Sequence, residues 1–238
     1  MNSVVKIYKL TIRLLVFGGL ILGGIACDST QSKQEAESKP VREVSSRVET
    51  LPYYGDPSFT PQWLEPNAKE LEKFHRVSSF SLLNQEGDTL SSEDLKGKIY
   101  VADFFFTSCP GICPKMTNNM AMLQEAFLED VGVILLSHSV TPERDSVPVL
   151  KQYAQEKGIL SSKWHLLTGD RQQIYSLGRN DYFIEEDLGI EKDVDDFLHT
   201  ENFVLIDQER HIRGIYNGLN KADINQLIAD IQTLKKQG

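Results

Sequence analysis

Between Ile99 and Phe106 the chain reads Ile-Tyr-Val-Ala-Asp-Phe-Phe-Phe, apolar at every position but Asp103. A run this long, rich in β-branched and aromatic side chains, predicts a buried strand. From Met116 to Glu129 the apolar residues fall at helical spacing, with Met116, Met120, Leu123 and Phe127 on one stripe. That stripe is core packing rather than a methionine metal site. Between strand and helix stands Thr107-Ser108-Cys109-Pro110-Gly111-Ile112-Cys113-Pro114. An α/β fold gathers its chemistry at such strand-to-helix turns, and this one holds two cysteines four residues apart. A four-residue step at a helix start leaves the Cβ atoms about 5–6 Å apart on one face. At that separation the sulfurs can share a metal ion or, with modest adjustment, close a disulfide.

The rest of the chain supplies the layers that such a strand needs. Phe80–Leu83 and Thr89–Leu90 predict a hairpin, followed by a helical turn from Ser91 to Leu95. Val131–Ser137 and Trp164–Leu167 predict further buried strands. Asp145–Lys157 predicts a helix that tolerates Pro148 in its first turn. A short helix, Arg171 to Leu177, ends at Gly178. Phe203–Ile206 and Ile212–Tyr216 flank a turn at Asp207–Arg210, and a final helix runs from Asn220 to Leu234. Alternating strands and helices, then a closing hairpin and helix, predict an α/β fold of thioredoxin-like plan. Its central mixed sheet is flanked by helices and carries an N-terminal extension and an added β-hairpin.

The N-terminus differs in character. Lys6, Lys9 and Arg13 precede an apolar stretch from Leu14 to Ala26, and Cys27 follows directly. A basic start, a short apolar core and small residues before a break describe an export signal over residues 1–26. The stretch is shorter than the ~20 residues of a spanning helix. Gly23-Gly24-Ile25-Ala26 before Cys27 is similar to a bacterial lipoprotein cleavage box, although Gly24 stands where Leu is usual. Cys27 is therefore the expected lipidation site, with an uncleaved signal anchor or plain secretion as alternatives. Residues 27–66 are expected to be a tether and arm, and residues 67–238 the folded domain. Asp28 to about Thr50 is polar, with almost no large apolar side chains, and at about 22 residues reaches roughly 25 Å as a coil. Leu51–Pro66 is rich in proline and aromatics and predicts an extended arm packed along the domain, with an exposed partner-binding strip as the alternative. Without residues 1–26 the chain keeps 22 Lys and Arg against 34 Asp and Glu. Such an acidic protein is a poor match for nucleic acid.

Cys27 aside, Cys109 and Cys113 are the only thiols. An exported pair meets oxidising conditions and forms a disulfide unless it is reduced or metallated. As soft ligands, thiolates select Cu(I), Zn(II) or iron–sulfur clusters. Two cysteines are too few for a four-cysteine cluster in a monomer, and structural zinc needs two further ligands. Cu(I) is satisfied by two thiolates and one imidazole, so one histidine must approach. His199 precedes the strand Phe203–Ile206, and His138 follows the strand Val131–Ser137. His75 lies before the core, His165 is expected to pack within a strand, and His211 is expected to be solvated near a turn. Spacing alone favours His199, then His138. The acidic connection from Glu185 to Asp196 reads as a solvated loop, or as an acidic lid that positions His199 and meets a basic partner.

The segment Phe106–Pro114 resembles the signature of the Sco/SenC family. So do His199-Thr200-Glu201-Asn202-Phe203-Val204-Leu205-Ile206-Asp207 and Ser139-Val140-Thr141-Pro142-Glu143-Arg144-Asp145. The resemblance spans residues 70 to 236. It implies a membrane-tethered, thioredoxin-fold metallochaperone that assists maturation of the dinuclear copper centre of cytochrome c oxidase. By that resemblance Cys109, Cys113 and His199 hold copper, as Cu(I), Cu(II) or both. The implied partners are the copper-bearing oxidase subunit or another copper protein, a copper donor, and a membrane reached through the N-terminal anchor. The implied location is the exported side of the bacterial cytoplasmic membrane. One position departs: Thr141 stands where the family usually has Asp near the copper site. A thiol–disulfide oxidoreductase that keeps an acceptor's cysteines reduced is the alternative. Asp103, six residues before Cys109, matches the buried Asp of thioredoxins and is a candidate proton carrier for the inner cysteine. A peroxidase on a related fold is disfavoured, since Phe106 occupies the position where that pattern has Thr.

Overall fold

The computed structural model describes residues 45–184 and 200–237. His199, Cys27 and the acidic connection Glu185–Asp196 lie outside the described residues.

Among the described residues seven strands and four α-helices follow one another in chain order. A hairpin comes first: β1 (Ser81–Leu83) pairs antiparallel with β2 (Thr89–Ser91). Then come β3 (Ile99–Phe105), α1 (Cys113–Ala126), β4 (Val133–Ser139), α2 (Val147–Lys157), β5 (Trp164–Leu167), α3 (Arg171–Ser176), β6 (Asn202–Ile206), β7 (Ile212–Asn217) and α4 (Lys221–Leu234). The main sheet has the order β5-β4-β3-β6-β7. β3 pairs parallel with β4, and β4 with β5, whereas β6 runs antiparallel to both β3 and β7. The sheet is thus mixed, with β3 at its centre.

Strand alternation divides the core in two. Ile99, Val101 and Phe105 join one cluster with Met116, Met120 and Leu123 of α1, Leu150 of α2, and Ile224, Leu227 and Ile231 of α4. Tyr100, Ala102 and Phe104 face a second cluster with Leu82 and Leu90 of the hairpin and Ile174 of α3. All seven residues of β3 are buried, as a central strand with both faces covered must be. Among the described residues no helix is long and apolar enough to cross a membrane.

Several boundaries move from their expected places, and α1 both begins and ends three residues early, at Cys113 and Ala126. β3 stops at Phe105, one residue early. β4 is shifted two residues later, so that polar Ser137, His138 and Ser139 sit inside a fully buried strand while Val131 is 85% exposed. α2 begins at Val147, which frees Asp145 from the helix. Gly178 does not end a helix. The chain continues through one wider π turn, Leu177–Asp181, in which Gly178 is buried.

The N-terminal arm folds back on itself through Tyr53 and Gln62, which exchange two backbone bonds of 2.8 Å. Tyr54 then bridges to Ile212, against the outer strand β7. Leu51 and Tyr53 are buried, and Trp63 remains 61% exposed, so only part of the arm covers the domain. Arg213 clasps this arm. Its guanidinium donates to the carbonyls of Leu51 (2.7 Å) and Pro52 (3.0 Å) and to Asp207 (3.1 Å), and it lies 3.8 Å from the Tyr53 ring centre.

Candidate functional site

The cysteine turn leaves the carboxyl end of β3 and enters α1. Cys113 is the first helical residue, and Pro114 follows in the first turn, where a missing N–H leaves no bond unmade. The amides of Lys115 and Met116 both donate to the Ile112 carbonyl, at 3.0 and 3.1 Å, which ties the turn to the helix. Cys109 lies outside the helix, its amide donating to the Phe106 carbonyl at 3.3 Å. The two cysteines therefore do not share a helix face as a plain four-residue step implies. The turn brings them together instead.

Both are free thiols, in unlike surroundings. Cys113 is buried in the core cluster that also holds Val101, Phe105 and Met116. Burial pushes its thiol up to about 12, reinforced by the bond to the Cys109 sulfur and by the charges of Cys109 and Asp103, against a backbone bond from Phe106. Cys109 is half-buried. Its own burial works in the same upward direction, but bonds from the Cys113 thiol and from the amides of Cys113, Gly111 and Ile112 outweigh it. The net result is a thiol below its usual range. The outer sulfur is thus the easier one to ionise. A mainly apolar cavity of about 330 Å³ opens beside the pair. Phe104, Phe106, Cys109, Cys113, Val140 and Thr200 are among its walls.

Asp103 is 2% exposed on β3. Ser137 Oγ donates to its Oδ1 from the neighbouring strand, and the Trp164 indole N–H donates to Ser137 Oγ at 2.8 Å. Burial raises Asp103 to about 7, with the Ser137 bond pulling the other way. Its charge is felt at Cys113. The carboxyl is therefore buried, close to neutrality in its titration, and electrostatically coupled to the inner cysteine.

The described histidines lie elsewhere. His138 alternates to the opposite face of the sheet, stacked on Phe104 at 4.9 Å, edge-on to Phe80 and tilted against Tyr182. Burial depresses it to about 4, and its Nε2 has no hydrogen-bond partner. His75 meets the Asp181 carbonyl at 2.7 Å. His165 is half-buried in β5. His211 is not solvated, as its place by a turn suggests. It is 2% exposed beneath Tyr53 and Phe74, and its Nε2 accepts from Arg76 Nε at 3.0 Å. Among the described residues no three or more His, Cys, Asp or Glu side chains converge as a metal nest. Thr200, the residue after His199, lines the cysteine cavity.

A second carboxylate, not singled out by the sequence, reaches the cysteine turn. Asp145 is 1% exposed and accepts four bonds around the carboxyl end of β4. Thr107 gives two of them, from Oγ1 to Oδ1 at 2.5 Å and from its amide to Oδ2 at 3.2 Å. Ser139 Oγ and Thr141 Oγ1 donate to Oδ2 at 2.6 and 3.2 Å. Asp145 belongs to the segment Ser139–Asp145 already marked by its family resemblance, and that was the only signal available for it.

Comparison with known proteins agrees with this fold. The family model SCO1/SenC matches residues 68–236. A SCO1/SenC family lipoprotein from Bacillus anthracis superposes with a TM-score of 0.59 at 33% identity, covering 68% of this chain and 95% of that one. BsSco, described with a disulfide switch and as a member of the Sco family of cytochrome c oxidase assembly proteins, gives 0.57 at 30% identity, over 67% and 93%. Arabidopsis thaliana ScoI, solved with copper bound, gives 0.52 at 27% identity, over 67% and 98%. The sheet order and the paired cysteines at the β3–α1 turn define a thioredoxin-like protein with a dithiol centre. The chain belongs to the SCO1/SenC family.

Proposed function

We propose that this protein is a copper carrier for maturation of the dinuclear copper centre of cytochrome c oxidase. Cys109, Cys113 and His199 hold the ion, which is cargo. The observation that carries this reading is the cavity wall. Two thiols and Thr200 share it, and His199 is the residue next to Thr200 in the chain. Two thiolates and an imidazole form a soft donor set suited to Cu(I). The apolar lining keeps water from competing for the ion and disfavours harder cations. The copper-bound relative and the oxidase-assembly relative support the same reading.

Copper leaves by ligand exchange, in which an acceptor thiolate displaces first Cys109, the outer and more readily ionised sulfur, and then Cys113. A membrane tether through lipidated Cys27, with residues 27–66 as tether and arm and 67–238 as the working domain, holds the site on the exported side of the membrane. The lipoprotein relative supports this arrangement.

A second reading rests on the unlike thiols. Cys109 is placed to attack a disulfide and Cys113 to resolve the mixed disulfide, with Asp103 as the proton carrier. The relative with a disulfide switch favours it. Titration of the reduced protein with Cu(I) and Cu(II), beside a disulfide-reductase assay, separates the two. His199→Ala is expected to weaken copper binding by at least a hundredfold and to leave disulfide exchange within twofold. Unchanged copper affinity in that variant would remove His199 from the ligand set.

A further inference from the structure

We propose that Asp145 is a positioning residue that holds the cysteine turn in its dithiol shape through Thr107. The proposal rests on the reading of Cys109 and Cys113 as the working pair, and it adds a residue that touches neither sulfur.

Three segments meet at this one carboxylate. The turn contributes Thr107, two residues before Cys109. The end of β4 contributes Ser139, and the link to α2 contributes Thr141. The link is itself wound around the carboxylate, since the amides of Arg144 and Asp145 both return to the Thr141 carbonyl at 2.9 Å. The strands cannot yield at this point. Val140 N–H donates to the Phe105 carbonyl at 2.9 Å, extending the β3–β4 pairing to the base of the turn.

All four donors are neutral and the carboxylate is buried, so each bond replaces hydration that Asp145 has lost. One of the four bonds falls on Oδ1 and three on Oδ2. Thr107 is held at both its amide and its hydroxyl, which fixes its backbone and its χ1 together. With Thr107 fixed, the Cys109 amide bonded to the Phe106 carbonyl, and Lys115 and Met116 tied to Ile112, little slack is left between Ser108 and Gly111. The clamp is seen with both sulfurs free. Closing the disulfide draws Cys109 toward Cys113, the sulfur that the helix fixes, and pulls on Thr107 against the clamp. Asp145 therefore favours the open dithiol, the form that accepts a soft metal. Thr141 takes part directly. Its hydroxyl donates to Asp145 Oδ2 at 3.2 Å.

The test measures the equilibrium of the metal-free full chain with a glutathione buffer. Two cysteine thiols and one oxidised glutathione give one protein disulfide and two reduced glutathiones. Thr107→Val keeps the shape and the amide bond but removes the hydroxyl donor, whereas Thr107→Ser restores it. Thr107→Val is expected to shift the equilibrium toward the disulfide by fivefold or more, and Thr107→Ser to stay within twofold of the unaltered protein. Asp145→Asn is expected to shift in the same direction as Thr107→Val. Denaturation midpoints of the oxidised and reduced forms of each variant complete the cycle. A residue that merely supports the fold weakens both forms equally and leaves the equilibrium in place. Equal weakening with no shift, or a shift toward the dithiol, would overturn the proposal. If Asp145→Asn does not fold, the two Thr107 variants decide. No copper is present, so the result stands apart from the copper titration that tests the carrier reading.

Discussion

His138 Nδ1 meets the main-chain oxygen of Asp103 at 3.3 Å, yet the two side chains lie on opposite faces of the β3–β4 pair. Each is fully enclosed, and burial drives both toward neutrality, from opposite directions. Asp103 rises from 3.8 to about 7, and His138 falls from 6.5 to about 4.

Their effects on stability oppose one another. Between about pH 4 and 7 the folded state holds a proton on Asp103 that the unfolded chain has released, so stability falls as pH rises. Between about pH 4 and 6.5 the unfolded chain holds a proton on His138 that the folded state excludes, so stability rises with pH. The two slopes nearly cancel. Asp103→Asn removes the falling one, and stability is then expected to climb between pH 4.5 and 6.5 by about 2–3 kcal/mol. His138→Phe, which suits its aromatic surroundings, is expected to reverse the sign. Urea midpoints across this range check both, and parallel profiles for all three proteins would refute the account.

The two thiols should differ in reactivity. At pH 7.5 iodoacetamide is expected to label Cys109 at least tenfold faster than Cys113, because Cys109 is the more exposed and the more readily ionised. Peptide mass spectrometry of short exposures reads the ratio. Equal rates would mean that the burial of Cys113 does not govern its chemistry.

Ser137 supports two partners at once, donating to Asp103 and accepting from Trp164. Ser137→Ala leaves a buried carboxyl and a buried indole N–H without that contact, and each orphaned group costs about 1–3 kcal/mol. The expected loss is about 2–4 kcal/mol in denaturant unfolding. Trp164 is enclosed and Trp63 exposed, so a change in the emission of the buried component localises the effect.

Arg213→Ala should release the arm. The substitution strips the bonds to Leu51 and Pro52 and leaves Asp207 buried without its guanidinium. Removing one partner of a buried pair costs about 3–5 kcal/mol. Limited proteolysis is expected to cut between residues 45 and 60 before any cut in the sheet. Protection equal to that of the unaltered protein would show that the backbone bridges alone hold the arm.

The layers of this fold were legible because β3 is apolar without interruption and α1 keeps a clean stripe from Met116 to Phe127. β4 was displaced because Val131 looks like core while the polar trio Ser137, His138 and Ser139 does not. The trio is buried because it has partners, and Ser137 and Ser139 find theirs in Asp103 and Asp145. His211 was misjudged for a related reason, since the arm that covers it lies far away in the sequence. At the site, the spacing pointed to two neighbouring sulfurs, but it is the turn before α1 and not a shared helix face that joins them. Their inequality could not be read from spacing, because it depends on where the helix begins and how deeply Cys113 sinks into the core. Asp145 was invisible as a clamp because Thr107 is 38 residues away.

The Arg213 clasp is also one of the points where load enters the domain. β6 runs opposite to β3, so its end at Asp207 lies at the far edge of the sheet from the cysteine turn. Tension along the N-terminal segment meets Asp230 of α4 through Ser46, and Gln237 through the Glu49 carbonyl, before Leu51, Pro52 and Tyr54 pass it to the hairpin of β6 and β7. From there it passes into a strand paired along its length with the sheet. The thiols sit beyond that path. Load entering at Ser46 is thus taken up by α4 and the β6–β7 corner, at a distance from the turn that carries Cys109 and Cys113.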